Sequence, residues 1–315
     1  MTRKRYSGVI LAGGKGTRML PFSRIQPKPV LKIGNEPLIR HQIKAMSGLG
    51  IEEIFVLIGH LGAEVMRAAG DGSEFGVRLT FVEQGPDVAG TADALGKLEP
   101  HVRSPFVLFL GDIFFIAEDL GSIFETFERE NLDAVLLTRL ETSREALREN
   151  FAVIEGSDHL VERVIEKPRD SPTMLKGCGL YLFGPEIFDA VRRTPRTSLR
   201  DEREITESIQ IMIGAGGRVG QIPLIKDDVN INTPQDYLRC NCRLLESLGV
   251  GSILGRNTSV PPGSVLERTV VGDNVTMARP LRLKRCVVLD NAVIPPAGEA
   301  GFEDMIIGPG MTFKC

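Results

Sequence analysis

The sequence predicts an α/β fold in which helices cover both faces of a mainly parallel β-sheet, with a short β-rich tail after it. Two observations carry this prediction. Short aliphatic runs alternate with helical patterns from residue 6 to about residue 240, and the texture of the chain changes after about Val250. A chain of 315 residues is long enough for one large domain and a smaller one. We therefore expect a main domain over residues 1–250 and a tail over residues 251–315.

Composition excludes several classes of protein. The 38 Lys and Arg residues nearly balance the 41 Asp and Glu residues, so the formal net charge of −3 offers no basic field for a nucleic-acid partner. No apolar run approaches the roughly 18 residues of a membrane span, and the short basic start is unlike a signal peptide. The five cysteines lack a metal-binding spacing. We expect reduced thiols in a cytoplasmic protein.

The aliphatic runs and helical patterns alternate in order. Predicted strands are Ser7–Ala12, Ile54–Ile58, Val77–Val82, Phe106–Leu110 and Ala134–Arg139. Predicted helices begin at Pro37 or cover Gly62–Ala69, Thr91–Leu98 and Asp119–Glu130. This alternation is typical of a Rossmann-like sheet, which binds ligands beyond the carboxyl ends of its strands. Further along, a β-rich insertion is predicted from Phe151–Glu155, Leu160–Glu166 and Gly177–Phe183, and two helices from Arg203–Ile213 and Pro234–Leu248.

The tail has a different period. Aliphatic residues recur every five or six positions, and then less regularly: Val260, Val265, Val270, Val275, Val287, Val293 and Ile306. Turn-forming residues fall between them, and no helical period fits. This pattern favours a short β-solenoid of about three coils. A β-rich tail packed on the main domain is the alternative.

The glycine-rich stretch Leu11–Pro21 is the most informative part of the chain. It leaves the first predicted strand, where an open α/β sheet places its ligand. Three glycines within four residues (Gly13, Gly14 and Gly16) let backbone amides approach an anion closely. The spacing lacks the third glycine of a dinucleotide fingerprint and the Gly-Lys-Ser/Thr end of a Walker A loop. We therefore predict a phosphate-binding loop of another kind.

A second motif follows ten residues after Arg18. In Gln26-Pro27-Lys28-Pro29, two prolines stiffen the segment that carries Lys28. Arg18 and Lys28 could together balance the charge of a triphosphate and of its transition state.

These motifs carry a resemblance. Gly13-Gly-x-Gly-Thr-Arg-x-x-Pro21, Pro27-Lys28-Pro29 and Ile33-Gly34-Asn35-x-Pro37 resemble the signature of sugar-1-phosphate nucleotidyltransferases, and in particular of glucose-1-phosphate thymidylyl- and uridylyltransferases. The resemblance implies that a sugar 1-phosphate oxygen attacks the α-phosphorus of a nucleoside triphosphate and that pyrophosphate leaves. It also implies a left-handed β-helix-like tail, since many members have one.

The resemblance assigns roles to individual residues. Arg18 would stabilise the leaving pyrophosphate, Lys28 would contact the α-phosphate and the sugar phosphate, and Asp112 would bind Mg²⁺ together with Asn230. The residues assigned to nucleotide binding are Leu11, Ala12, Gly13, Gly14, Gly16, Thr17, Gln84, Gly90 and Thr91. The residues assigned to sugar phosphate binding are Ala152, Glu166, Lys167, Gly179 and Glu204.

Gln84 bears on the choice of base. A carboxamide offers one acceptor and one donor, which matches the N3–H and carbonyl groups of uracil or thymine. Guanine presents two adjacent donors, which suit a carboxylate better. We therefore expect UTP or dTTP, although a shift of one residue would bring Glu83 to the base instead.

The chain departs from the family's usual pattern at four positions: Ala152 for Gly, Glu207 for Asp, Asp228 for Trp and Asn230 for the second metal-binding Asp. Asn oxygen can still ligate magnesium. Ala152 puts the sugar in doubt, and Ala152, Glu207 and Asn230 together keep open a non-catalytic regulatory homologue. A guanylyltransferase acting on mannose 1-phosphate is the other alternative. The absence of Asp-x-Asp at Asp112 counts against a glycosyltransferase.

The tail carries no histidine. Because acyltransferases built on such solenoids usually rely on a histidine base, we expect no second activity there. Subunit association, giving a homo-oligomer, or a lid against the catalytic domain is the expected role of the tail.

Overall fold

A computed structural model describes residues 6–14, 16, 26–148, 150–197, 201–294 and 301–315. Thr17 and Arg18 lie outside these residues, so their predicted roles stay predictions. The chain divides into two compact units. The first combines Met1–Lys15 with Ile39–Asp228, and the second combines Gly16–Leu38 with Val229–Cys315. None of the helices within the described ranges is both long and apolar enough to cross a membrane.

The strands and helices are numbered in chain order. The strands are β1 (Ser7–Leu11), β2 (Lys32–Ile33), β3 (Glu36–Pro37), β4 (Glu53–Ile58), β5 (Arg78–Glu83), β6 (Phe106–Leu110), β7 (Ile113–Ala117), β8 (Ala134–Leu140), β9 (Phe151–Glu155), β10 (Val161–Glu166), β11 (Leu175–Phe183), β12 (Val219–Ile222), β13 (Ile225–Asn230), β14 (Ser252–Leu254), β15 (Val265–Glu267), β16 (Thr269–Val271), β17 (Thr276–Met277), β18 (Arg282–Val288), β19 (Val293–Ile294), β20 (Gly301–Gly308) and β21 (Met311–Lys314). The helices are α1 (Leu38–Gly48), α2 (Gly62–Ala69), α3 (Thr91–Gly96), α4 (Ser122–Arg129), α5 (Arg144–Arg148), α6 (Ile187–Arg193), α7 (Ile205–Gly214) and α8 (Pro234–Leu248), with short 3₁₀ turns at Lys28–Val30 and Ser73–Phe75.

The first unit is built on one sheet in the order β10-β9-β11-β6-β1-β4-β5, with β8 and β12 joined beside β11. Strands β6, β1, β4 and β5 run parallel, as the alternating pattern predicts. Strand β11 is antiparallel to β6, β8 and β9. The three strands of the predicted β-rich insertion are present as β9, β10 and β11, and they extend the main sheet.

The aliphatic runs form the core of this unit. Every residue of Phe106–Phe109 is at most 1% exposed, as expected for a strand that is covered on both faces. Phe106 stacks on Phe188 of α6, with ring centroids 5.7 Å apart. Helices α3, α6 and α7 contact one another. The core thus fixes the strand ends on which the predicted site residues stand.

The second unit contains a parallel β-solenoid. Its strands pair in the order β14-β16-β18-β20, and β21 adds an antiparallel strand at the end. Equivalent residues lie 17 positions apart in the first coils, where Asn257, Asn274 and Asn291 form a ladder of side-chain hydrogen bonds. All three have a positive φ, which asparagine tolerates better than most residues. The described strands of the tail therefore pair in parallel from one coil to the next.

Only some of the valines that recur in the tail are buried in its core. Val270 and Val275 are buried, but Val265 is 51% exposed and Val293 is 69% exposed. Val265 pairs with Arg282 in the next coil, and Val293 pairs with Thr276. Both valines therefore belong to columns of outward-facing side chains, which a count of β-branched residues does not distinguish from inward-facing ones.

Candidate functional site

The carboxyl ends of neighbouring strands bring the start of the glycine-rich stretch, residues 11–14, and Asp112 to one edge of the first unit. Leu11, the last residue of β1, pairs with Leu110, the last residue of β6. The amide of Gly111 donates to the carbonyl of Leu11 at 2.9 Å, and the amide of Ala12 donates to that of Leu57 at 2.8 Å. The loop and the turn that carries Asp112 therefore start side by side.

Gln84 follows β5 and lies against the glycine-rich loop. Its Nε2 donates a hydrogen bond to the carbonyl oxygen of Gly13 at 3.0 Å. A Cβ atom at Gly13 would lie 2.1 Å from Gln84 Oε1, and one at Gly59 would lie 2.5 Å from Gln84 Nε2. The carboxamide therefore occupies the space next to both glycines, and a Cβ at Gly59 would also lie 2.7 Å from the carbonyl oxygen of Gly13. Glu83 is exposed, so the structure places Gln84 rather than Glu83 beside the loop.

The turn that carries Asp112 is held by a residue that the sequence analysis missed. Gln42 of α1 is 1% exposed, and its Nε2 donates to the carbonyl oxygens of Leu110 at 2.9 Å and Ile113 at 3.0 Å. These carbonyls flank Gly111 and Asp112. Gln42 therefore fixes the backbone that presents the Asp112 carboxylate. The signal was a polar residue within the apolar stripe of Ile39, Ile43 and Met46.

Gly90 and Thr91 are joined to the start of α7. Thr91 Oγ1 accepts a hydrogen bond from the amide of Ile205 at 2.9 Å and donates to Glu204 Oε2 at 3.2 Å. Gly90 has a φ of 103°, and a Cβ there would lie 2.3 Å from the carbonyl oxygen of Arg203. The packing of these two segments therefore accounts for this glycine by itself, and its contact with a base stays a prediction.

The two predicted sugar-binding glutamates lie near one buried tyrosine. Glu166 ends β10, and its Oε2 accepts from Thr206 Oγ1 at 3.1 Å. Burial raises the pKa of Tyr181, and the charges of Glu166 and Glu204 raise it further. Thr206 therefore secures Glu166 to α7, which begins one residue after Glu204.

Lys167 adopts a left-handed conformation directly after β10. Its φ is 44°, its amide donates to the carbonyl of Asn150 at 2.7 Å, and its ammonium lies 3.6 Å from Glu166 Oε1. Ala152 is fully buried within β9, where it pairs with Ile165. The methyl group that distinguishes it from glycine is therefore packed inside the protein.

Gly179 lies in a register shift of β11 between Gly177 and Tyr181. Its φ is 66°, and a Cβ there would lie 2.3 Å from Ile113 Cδ1. Gly179 therefore packs against the residue that follows Asp112. The first unit thus gathers Gly13, Gln84, Asp112 and Gly179 around the ends of adjacent strands, with Glu166, Glu204 and Thr91 linked through α7.

Lys28 belongs to the second unit. Its short 3₁₀ turn begins after Pro27, and the residue is only 8% exposed. Lys28 Nζ donates to Asn232 Oδ1 at 3.0 Å. Asn232 is itself fixed, because its amide donates to Asp236 Oδ2 at 3.0 Å in the capping box that starts α8. The prolines and Asn232 together hold the ammonium, as expected for a positioned rather than a solvated lysine.

The remaining predicted residues divide between the units. Gly14 is exposed in the first unit, whereas Gly16, with a φ of 59°, belongs to the second. Asn230 ends β13 and is half-buried in the second unit. Asp112 is half-buried in the first. The described residues contain no ready-made cluster of three or more His, Cys, Asp or Glu side chains that could hold a metal.

A wide depression in the described part of the first unit lies elsewhere. Its volume is about 1900 Å³, and Tyr6, Ser7, Arg78 and Arg103 are among its lining residues. Ser7 and Arg78 begin β1 and β5, so the depression lies at the amino ends of parallel strands. None of the predicted site residues lines it. We place the candidate site at the carboxyl ends, where the chemistry-bearing side chains converge.

Comparison with known proteins shows which family the chain belongs to. The chain matches the nucleotidyl transferase family over residues 7–247. It is 30% identical over 308 residues to a glucose-1-phosphate thymidylyltransferase of Streptomyces antibioticus, covering 96% of this chain and 80% of the relative. It is 32% identical over 238 residues to the UTP–glucose-1-phosphate uridylyltransferase AglF of Haloferax volcanii, covering 76% of this chain and 96% of the relative.

A structural comparison supports the same fold. A crystal structure of UDP-glucose pyrophosphorylase complexed with UDP-glucose superposes with a TM-score of 0.66, covering 77% of this chain and 99% of the other. The identity is 18%, so this likeness concerns the fold alone. The family match spans the whole sheet of the first unit and the three motifs that carry the resemblance. The chain therefore belongs to the nucleotidyl transferase family.

Proposed function

We propose that this chain transfers a nucleotidyl group from UTP or dTTP to glucose 1-phosphate, giving a nucleoside-diphosphate glucose and pyrophosphate. The observation that carries the proposal is the packing of Gln84 on Gly13, which sets a carboxamide beside the glycine-rich loop at the ends of β1 and β5. A carboxamide suits the N3–H and carbonyl groups of a pyrimidine. Relatives named as thymidylyl- and uridylyltransferases support the choice of triphosphate and sugar phosphate.

The proposed reaction needs alignment and charge balance more than a base. A phosphate oxygen of the sugar 1-phosphate forms a bond to the α-phosphorus, and the bond from that phosphorus to the pyrophosphate oxygen breaks. The nucleophile is already an anion, so no proton has to be removed from it. Lys28 would bring the α-phosphate and the sugar phosphate together, and Arg18 would balance charge on the leaving pyrophosphate. Glu166 and Glu204 would accept hydrogen bonds from sugar hydroxyls.

We propose that Mg²⁺ takes part, with Asp112 and Asn230 as protein ligands. One carboxylate and one carboxamide are hard oxygen donors, and Mg²⁺ is commonly held by one or two carboxylates together with substrate phosphates and waters. The residue types therefore fit the ion without a closed cage of protein ligands. When bound, the ion would neutralise charge on the triphosphate.

Three further properties belong to the same proposal. The 17-residue offset between coils is close to three hexapeptides, which supports a left-handed β-helix for the tail. The five cysteines form no disulfide, which is compatible with the cytoplasm. Association into a homo-oligomer is proposed for the tail, and size-exclusion chromatography with light scattering tests it.

The test is pyrophosphate release measured with UTP, dTTP, GTP and ATP against the 1-phosphates of glucose, mannose, galactose and N-acetylglucosamine. We expect activity with a pyrimidine triphosphate and glucose 1-phosphate. Lys28→Ala should lower kcat by about a hundredfold or more, in the range reported for removal of one transition-state contact. The exposed Lys44 on α1 offers a matched control, since Lys44→Ala removes the same charge away from the site.

Each other outcome favours a different function. Preference for GTP and mannose 1-phosphate would replace the proposal by a guanylyltransferase. Binding of triphosphate without pyrophosphate release for any pair would favour a regulatory homologue. Full turnover of Lys28→Ala would remove Lys28 from the mechanism.

A further inference from the structure

A tight hairpin follows Lys28 in the second unit. Strands β2 and β3 are antiparallel and are joined by Gly34 and Asn35, whose φ values are 61° and 69°. Two consecutive residues with positive φ are typical of a type I′ turn, which matches the twist of a short hairpin. The motif Ile33-Gly34-Asn35-x-Pro37 therefore encodes a rigid structure. It begins only two residues after the 3₁₀ turn of Lys28.

Helix α8 holds the base and the tip of this hairpin. Tyr237 Oη donates to the carbonyl of Lys32 at 3.0 Å, and the amide of Gly34 donates to Asn241 Oδ1 at 2.9 Å. A Cβ at Gly34 would lie 2.2 Å from Leu244 Cδ2, so the tip lies directly on the helix. Tyr237 is 2% exposed and Asn241 is 1% exposed. The hairpin is therefore packed into its unit rather than hinged at its base.

The solenoid holds the same hairpin through its first coils. Asn35 Nδ2 donates to the carbonyl of Val271 at 2.8 Å. The ammonium of Lys32 lies 3.1 Å from Asp273 Oδ2 and 2.7 Å from Asp290 Oδ2. Burial alone would lower the pKa of Lys32, but hydrogen bonds to Asp290 and Asp273 outweigh it and raise the pKa. Lys32 therefore carries its charge at neutral pH.

The two carboxylate oxygens of Asp273, and likewise those of Asp290, make different contacts. The two aspartates occupy equivalent positions in successive coils, 17 residues apart, where the amide of Asp273 donates to Asp290 Oδ1 at 2.9 Å. The amide of Arg256 donates to Asp273 Oδ1 at 2.7 Å. Each Oδ1 thus joins one coil to the next, and each Oδ2 faces Lys32. Oδ2 of Asp273 also lies 3.7 Å from the guanidinium of Arg256, whose side chain is 90% exposed.

We infer that the solenoid tail positions Lys28, with Asp273 and Asp290 acting through Lys32 and the hairpin. This inference rests on the proposed role of Lys28 and goes beyond it by giving the tail a part in turnover within a single chain. Asn232 restrains the ammonium of Lys28 directly, at 3.0 Å, while the hairpin restrains its backbone. Asp273 and Asp290 are positioning residues, since they act through another group.

The test is the double variant Asp273→Asn with Asp290→Asn. An Asn side chain keeps the Oδ1 acceptor that joins the coils and turns an amide N–H₂ toward the Lys32 ammonium. We expect kcat for pyrophosphate release to fall about tenfold while KM for both substrates changes less than threefold, because small misplacement of a catalytic group lowers turnover.

Asp304→Asn is the matched control. Asp304 lies in the same solenoid, is 33% exposed in its side chain like Asp290, and pairs with Arg285 at 2.6 Å instead of with Lys32. We expect wild-type kcat for this variant. Equal kcat in the double variant and in Asp304→Asn would overturn the inference.

Lys32→Met perturbs the same contact without touching the solenoid and keeps the test decisive if the double variant fails to fold. We expect a similar loss of kcat, and no further loss when Lys32→Met is combined with the two aspartate changes. Wild-type kcat in Lys32→Met would overturn the inference. If Lys28→Ala loses activity while Lys32→Met keeps it, the proposed function stands and only the role of the tail fails. If Lys28→Ala keeps its activity, the proposed role of Lys28 fails first.

Discussion

Replacing Lys176 by Met tests the buried ion network around Asp228, the residue at which the resemblance implies a tryptophan. Lys176 is 3% exposed, and its Nζ lies 2.7 Å and 2.8 Å from the two carboxylate oxygens of Asp228. Glu141 lies 3.1 Å from the same ammonium. Arg139 links the acids, at 2.7 Å from Glu141 and 2.6 Å from Asp227. Lys176→Met therefore leaves Asp228 buried with Arg139 at 3.4 Å as its remaining cation.

The cost follows from the loss of one partner of a buried pair. Such a loss typically costs about 3–5 kcal/mol, because a buried charge is left uncompensated. Arg139 still compensates part of the charge of Asp228, so we take about 3 kcal/mol. For a compact unit of this size, about 2 °C of Tm corresponds to 1 kcal/mol, so Tm should fall by about 6 °C. Lys176→Met with Asp228→Asn should recover part of this loss, because no uncompensated carboxylate remains.

The measurement is thermal unfolding of the wild type, the two single variants and the double variant. Glu141 has a pKa lowered below its ordinary 4.5, since hydrogen bonding and charge from Arg139 and Lys176 outweigh its desolvation. It therefore contributes stability above pH 4.5 that is lost as the pH falls through its lowered pKa. Lys176 has a pKa raised above 10.5, since nearby acids outweigh its desolvation, so its contribution is present below pH 10.5 and is lost above its raised pKa.

The difference in Tm between wild type and Lys176→Met should thus be constant from about pH 5.5 to 9.5. Below about pH 5.5 this difference should become smaller. Single-variant losses that simply add in the double variant would refute the reasoning, because independent sites add and a coupled pair does not. A loss below about 1 kcal/mol in Lys176→Met would refute it as well, since that is the range of an exposed ion pair.

Three further predictions concern the site. Gln42→Leu should lower the free energy of unfolding by about 2 kcal/mol, because two buried carbonyls lose their donor, and urea unfolding measures this loss. The variant should also loosen the turn of Asp112. A titration should therefore show that the Mg²⁺ concentration for half-maximal rate rises several-fold. Gln84→Glu should lower kcat/KM for UTP and dTTP about tenfold or more, because a carboxylate cannot donate to the carbonyl of Gly13 or to a base; an unchanged base preference would contradict this. Chelation with EDTA should abolish pyrophosphate release and added Mg²⁺ should restore it, whereas activity that survives chelation would remove the metal from the proposal.

Local patterns were sufficient for the parallel half of the sheet and for one edge of the site. The run Phe106–Leu110 matches β6 residue for residue, because a strand buried on both faces is apolar throughout. The glycine-rich stretch could be placed in the site from the rule that ligands bind at the carboxyl ends of parallel strands. Such predictions need only the neighbouring residues and the topology, whereas the role of Gln84 came from the resemblance.

Contacts between distant parts of the chain explain what could not be predicted. Strand β13 reads Ile-Lys-Asp-Asp-Val-Asn, which looks like a loop until Asp228 meets Lys176 from 52 residues away. The contact between Asn232 and Lys28 could not be predicted from the sequence, because the side-chain oxygen of Asn232 accepts a hydrogen bond from a lysine 204 residues away. A charged or amide side chain can be buried without a large cost only when it has a hydrogen-bonding or charged partner. The local sequence does not identify that partner when it lies far away along the chain.

The two compact units cut across the sequence-based boundary at residue 250. Every site residue predicted from the motifs lies before that residue, and on that evidence the tail is dispensable for chemistry. Lys28, however, belongs to the unit that runs to Cys315, and the hairpin after it takes contacts from Val271, Asp273 and Asp290. A chain that ends at residue 250 would keep every predicted site residue and lose these contacts. Lys28 and the solenoid therefore belong to one structural unit, although the sequence separates them by more than 200 residues.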